Sequence, residues 1–373
     1  MEKKHYDFLD YIRVLATCFV VFMHAAAGGL RTNPGTPGGS WHLLNIATSL
    51  AFCAVPLFFM ISGFLLLSSE RTEDISHLLK KRLPRLIVPL IVYSLPCAVW
   101  VNRGTDISHV SAMLKSFLSI GSTPVMIHFW FMYTLIAVYL VSPFLRAAVC
   151  RMSEKLKTYL FWLIIAAMVL STLFQILPPS VSVYLPLRPV SDALFFNNYI
   201  CALFLGWLLG QTERRIPNKI LIAIALIDWA FIAFMTYRLT VANDAYITTY
   251  QTQNQGFELL LAVCLFLLFK QNLNRPLGKV HRWITPMAAL SFPVYLVHNL
   301  IISILCAFGF PAATAPQVLA LMLTTLVIAY LLTKTLATIK PLCFLCVGLP
   351  YAQACRTCNW VYTFRNLKNT SAE

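Results

Sequence analysis

Apolar runs of 14 to 26 residues, separated by short polar stretches, recur along the chain from about residue 8 to residue 340. Crossing a hydrocarbon layer about 30 Å thick takes about 20 predominantly apolar residues in a helix. The pattern predicts ten spans, at 8–29, 43–68, 85–101, 125–145, 157–177, 194–210, 219–237, 257–270, 284–309 and 318–340. The expected fold class is therefore an all-α polytopic membrane protein, a bundle of about ten transmembrane helices with both termini in the cytosol.

Charge sets that orientation. With the N-terminus inside, 23 of the 29 Lys and Arg residues fall on inside segments, Lys80, Lys81, Arg82 and Arg85 among them. Topology thus accounts for the formal charge of +15, and its spread over six inside segments excludes a nucleic-acid surface. A composition 59% hydrophobic and 12% charged exceeds what a soluble core absorbs. The first apolar segment is long, carries Arg13 and has no small-residue cleavage pattern, so it is expected to stay in the protein. Cysteines sit mostly in spans or on the inside face, which argues against a framework of external disulfides. With no soluble catalytic domain and no long repeat in view, chemistry must lie within or between helices.

The first span holds the strongest candidates. Arg13 and His24 are eleven residues apart, about 20° past three full turns, so they share a helix face and lie about 16 Å apart along it. An arginine at mid-membrane costs at least about 2.5–3.5 kcal/mol, so such residues face a protein interior or a wet cavity. Residues 28–41, rich in Gly and Pro, read as an external loop. In the second span Pro56 and Gly63 fit either a kinked packing helix or a close approach of another backbone. Arg82 and Arg85, three apart, would share a face at a helix N-terminus and suit a phosphate, or act as an ordinary cytosolic anchor. His128 and Trp130 open the fourth span, and Tyr295 and His298 lie past the midpoint of the ninth. An interfacial aromatic belt explains Trp130 equally well, and a lone intramembrane histidine is commonly a hydrogen-bonded packing residue. Depth adds an argument: His24, His128 and His298 share the outer leaflet, whereas Arg13, Arg82 and Arg85 lie near the cytosolic face.

Together these motifs resemble the acyltransferase 3 family of bacterial multi-pass membrane acyltransferases over about residues 5–340. The matching residues are Arg13 and His24 in an Arg, ten residues, His pattern, Arg82 and Arg85, the segment from Pro56 to Gly63, His128 with Trp130 and Phe131, and Tyr295 with His298. The spacing looks closest to the enterobacterial common antigen O-acetyltransferase subgroup. The resemblance implies transfer of an acyl group other than aminoacyl, usually acetyl, from cytosolic acetyl-CoA to a hydroxyl of a cell-surface glycan or lipid-linked sugar, in the inner membrane. Arg82 and Arg85 would hold the coenzyme phosphates and Arg13 would act at the inner mouth. His24 would serve as general base or transient acyl carrier. His128, Trp130, Tyr295 and His298 would orient the acceptor or stabilise the oxyanion. Without an added soluble domain, the membrane unit would complete the transfer or pass acyl groups to a partner.

The tail, residues 341–373, stands apart from the membrane domain at 5–340. Its two Cys-x-x-Cys pairs, Cys343 with Cys346 and Cys355 with Cys358, have the ligand count for tetrahedral zinc, or are unligated or lipid-modified thiols. Two rival functions fit the same pattern: an exporter or flippase of a glycan intermediate, in which ten helices surround a polar path, and a membrane scaffold or sensor in which Arg13 and His24 are a mere polar contact.

Overall fold

In hydrocarbon every backbone N–H and C=O must be satisfied within its own segment, and helices achieve this. The computed structural model describes residues 5–103, 109–177, 181, 198–252, 256–276 and 278–370; among these all regular structure is helical. The helices of ten residues or more are α1 (Asp7–Leu30), α2 (Gly39–Ala51), α3 (Ala54–Leu67), α4 (Pro84–Val101), α5 (His109–Leu118), α6 (Trp130–Val149), α7 (Glu154–Ile176), α8 (Asn198–Gln211), α9 (Asn218–Asn243), α10 (Gly256–Asn272), α11 (Gly278–Ala307), α12 (Ala315–Thr338) and α13 (Trp360–Thr370).

Eight stretches among the described residues are long and apolar enough to cross a bilayer: Asp7–Leu30, Gly39–Leu67, Ile75–Val101, Ile127–Val149, Glu154–Phe174, Asn218–Asn243, Val280–Ala307 and Ala315–Thr338. The run expected at 257–270 lies within α10, of 17 residues, and the run expected at 194–210 is described from residue 198 onward as α8, of 14. In α8, Cys201, Ala202, Leu203, Phe204 and Leu205, then Trp207 past Gly206, are buried in protein, so its apolar character serves enclosure. Conversely, Ile227 and Phe144 are exposed to 72% and 75%, as residues facing lipid are.

The chain divides into two compact units. The first comprises residues 1–73, 144–276 and 312–318. Its tightest packing is α3 on α8, where backbones meet without intervening side chains. A Cβ on Gly63 would lie 1.8 Å from the Leu203 carbonyl oxygen, and one on Gly206 would lie 2.1 Å from that of Met60. Small residues permit this approach, and close packing supplies the stability that apolar burial cannot provide between helices already in hydrocarbon. On the other side, Asn45 Nδ2 donates to the Ala233 carbonyl at 2.8 Å and Trp229 Nε1 to that of Ile46 at 2.7 Å, locking α2 to α9. Gln251 Nε2 completes the network through Asn45 Oδ1 at 2.8 Å and Ser49 Oγ at 2.7 Å.

The second unit comprises residues 74–143, 277–311 and 319–373. Here α4 packs on α11, and the segment after α12 folds onto α4. The tail that the sequence sets apart at 341 therefore packs within this unit.

Candidate active site

In the first unit α1 runs unbroken from Asp7 to Leu30, so the rise of about 16 Å between Arg13 and His24 holds in the fold. Both are half-buried. Arg13 Nη1 donates to Asp10 Oδ1 at 2.8 Å, and the other oxygen of Asp10 lies 3.2 Å from His5 Nε2. Asp10 is buried, and its two oxygens hold a cation on one side and an imidazole on the other. A guanidinium has five donors, so one bond to Asp10 orients it while leaving others for a ligand. The sequence reading passed over Asp10 and His5, although a carboxylate three residues before an arginine in a helix is a legible signal. Asp10→Asn is expected to leave the protein folded and to lower turnover about tenfold to a hundredfold by releasing Arg13 from its geometry, checked by initial-rate kinetics of the purified variant.

Arg82 and Arg85 belong to the second unit, and their local structure corrects the expected helix N-terminus. The helical run begins further back, at Ile75–His77, where Asp74 caps it by accepting from the His77 N–H at 2.9 Å. It continues through a π-helical turn, Leu78–Arg82, into α4 at Pro84. The arginines thus sit at a junction within helical turns, because Pro84 alters the hydrogen-bond ladder without ending the helix. Leu83 N–H reaches back to the Leu78 carbonyl at 2.9 Å, and the Leu83 carbonyl accepts from both Leu86 and Ile87. Both arginine side chains are half-buried.

The second unit also gathers His128, Tyr295 and His298. His128 lies in a 3-10 turn, Ile127–Phe129, just before α6, and not in the first turn of the helix as expected. Its ring centroid is 4.9 Å from that of His298 and 5.6 Å from that of Tyr295. The Tyr295 hydroxyl donates to the His128 carbonyl. Asn299 Nδ2 is 3.3 Å from His128 Nδ1, while His128 Nε2 is 3.3 Å from the Leu296 carbonyl. A carbonyl only accepts, so Nε2 carries the proton and Nδ1 accepts from Asn299. Both nitrogens of His128 therefore serve packing. His298 differs: Nδ1 lies 2.5 Å from the Tyr295 carbonyl, which puts the proton on Nδ1 and makes Nε2 the basic nitrogen. Trp130, the first residue of α6, is half-buried and packs edge-on against Phe131 at 6.3 Å.

An Arg-bearing and His-bearing first helix, an arginine pair and a paired-histidine cluster are the geometry on the page. The acyltransferase domain of the acyltransferase 3 family matches residues 6–334. The chain belongs to this family. No curated protein and no solved structure matches it. Membership makes the protein a membrane-embedded acyltransferase. The match covers every candidate of the acyltransferase site and stops at residue 334, leaving the tail outside it.

Three further features of this acyltransferase qualify the sequence reading. The first concerns the tail thiols. Ligands at about 2.3 Å from zinc stand about 3.8 Å from one another. Among the described residues, no three of these sulfurs are gathered within 4.8 Å. Cys343 and Cys346 follow one another in a π-helical turn, whereas Cys355 ends up beside Asn359, whose Nδ2 is 3.2 Å from its sulfur. Burial, and after it the neighbouring thiols of Cys358, Cys355 and Cys346, pushes the Cys343 thiol up to about 11. Burial likewise raises the thiols of Cys346 and Cys358. In the first unit two carboxyl groups inside apolar runs escaped notice: Asp228 in α9 and Glu258 in α10, both buried. Among the described residues neither oxygen of Glu258 nor Oδ2 of Asp228 has a hydrogen-bond partner, an exception to the usual pairing of buried polar atoms. Asn299 was also missed, because a side-chain amide beside a histidine carries no periodic signal.

Proposed function

We propose that this acyltransferase moves an acetyl group from acetyl-CoA on the cytosolic face to a hydroxyl of a cell-surface glycan or lipid-linked sugar, in the cytoplasmic membrane of a bacterium. The observation that carries this reading is the unbroken α1, which holds a cation and an imidazole about 16 Å apart on one face. Such a spacing suits a donor held at one depth and a reaction at another.

In this reading Arg82 and Arg85 bind the phosphates of the coenzyme, and Arg13, aimed by Asp10, acts at the inner mouth. His24 accepts the proton of the acceptor hydroxyl as the oxygen attacks the thioester carbonyl. The C–S bond breaks as the ester C–O bond forms, and the proton passes to the departing thiolate. His298, with its basic nitrogen set by the Tyr295 carbonyl, orients the acceptor, and His128 and Tyr295 hold it in place.

The test uses purified protein in proteoliposomes, acyl-labelled acetyl-CoA and a lipid-linked glycan acceptor. Base-labile label in the acceptor is the expected result. Preference for a longer acyl-CoA would overturn the acetyl assignment, and glycan movement without thioester consumption would overturn the reaction. Arg82→Ala with Arg85→Ala is expected to raise the donor KM between about 10- and 100-fold with the acceptor KM unchanged, as loss of charge-assisted phosphate contacts predicts.

A further inference from the structure

Residues 339–370 lie beyond the family match, yet the second unit anchors them at two places. The first anchor is Gly348, at φ +71, whose N–H caps the π-helical turn Cys343–Val347 on the Phe344 carbonyl at 3.1 Å. A Cβ at Gly348 would meet the Arg85 carbonyl oxygen at 2.4 Å and Pro89 Cγ at 3.4 Å. Residues 85 and 89 form one ridge of α4, and Cys346 lies within electrostatic reach of Tyr93, the next residue on that ridge. The second anchor is the last turn of α12. Asn359 Nδ2 donates to the Ala337 carbonyl at 3.4 Å, and Trp360 donates through its backbone to Thr338 Oγ1 and through Nε1 to Thr335 Oγ1, each at 3.2 Å. The Lys334 ammonium stands 4.2 Å from the Trp360 ring centroid. Cys343, Cys358 and Asn359, at or beside these anchors, are fully buried.

The contact falls where α4 supports itself least. The turn before it is π-helical, and Pro84 contributes no N–H. A single shared carbonyl, that of Leu83, takes the bonds of both Leu86 and Ile87. An outside brace on the Arg85 carbonyl therefore bears directly on where the two arginine side chains start.

We propose that residues 343–360 form a buttress for the turn carrying Arg82 and Arg85, and so set the affinity for the phosphate-bearing acyl donor, with Gly348 as the positioning residue. This rests on the reading of Arg82 and Arg85 as the donor site. A side chain at Gly348 pushes the brace off Arg85 and also meets a left-handed backbone that disfavours it.

Initial rates of the full-length protein, varied separately in acetyl-CoA and acceptor, test the buttress. Gly348→Ala is expected to raise the donor KM between about 10- and 100-fold, the scale of a displacement of about 1 Å, with kcat and acceptor KM within about twofold. Trp360 supplies an independent pair: Trp360→Ala raises the donor KM, and Trp360→Phe, which keeps a ring over Lys334, restores it. If Gly348→Ala does not fold, this pair decides. A fall in kcat or protein yield with the donor KM unchanged marks a merely structural tail and overturns the proposal. Arg85→Ala separates the two layers. If it raises the donor KM while Gly348→Ala and Trp360→Ala do not, the buttress fails and the donor site survives. If Arg85→Ala leaves the donor KM unchanged, both fail.

Discussion

Replacing His24 with alanine is expected to lower acyl transfer by about 10²–10⁴-fold, the usual worth of a positioned general base, with protein yield and donor KM near wild type. The expectation follows from where α1 holds the ring. His24 is half-buried on a continuous helix, so removing its imidazole leaves the path of the backbone and the packing of Ala25 and Ala26 intact. Loss of the base removes an interaction made only as the hydroxyl proton departs, so kcat and kcat/KM fall together. Glycan mass spectrometry of a deletion strain carrying either form provides the cellular counterpart: the acetyl increment returns with the wild-type gene and not with His24→Ala. A His24→Ala enzyme that transfers acetyl at the wild-type rate would sink the assignment. Acyl label trapped on His24 in a single turnover would convert the base into a nucleophile.

Gly63→Leu is expected to abolish a stable fold. Its Cβ alone would stand 1.8 Å from the Leu203 carbonyl oxygen, and the rest of the side chain would have to part α3 from α8 along the length of their contact. Overpacking a well-filled core usually costs about 1–3 kcal/mol, and here the obstacle is backbone, which cannot rotate aside as a side chain can. The measurement is size-exclusion profile and thermal midpoint in detergent. Gly121→Ala is the control, since a Cβ there meets nothing within 4 Å. A monodisperse Gly63→Leu protein with an unshifted midpoint would show that α3 and α8 are not held by backbone contact.

Much of this molecule is written in local pattern. The single helix bearing Arg13 and His24 needs only hydropathy and the 3.6-residue period, and it was found within one residue of the expected bounds at each end. The same applies to the all-helical class, since hydrocarbon leaves few ways to satisfy a backbone. Failures have a common cause. Hydropathy cannot tell a residue facing lipid from one facing protein, so the enclosure of α8 carried no signal. Sequence punctuation at Pro84 looked like a helix start, yet a proline at the first position of a helix is equally at home after a preceding helical turn. Cys-x-x-Cys spacing establishes ligand count alone, whereas the π-helical turn at Cys343 and the Asn359 contact at Cys355 come from the fold.

The amino-acid sequence by itself determined the solvent, the class of fold, the face shared by Arg13 and His24, and the family, because each depends on residue type at short spacing. Only the tertiary structure decided that Asp10 aims Arg13, that Asn299 and the Leu296 and Tyr295 carbonyls assign opposite protons to His128 and His298, and that Gly348 abuts Arg85 across 263 residues of chain. The Asp10–Arg13 and Tyr295–His298 pairs lie one helical turn apart, a spacing the sequence allows without selecting, and the others join groups far apart in the chain, which no helical period encodes.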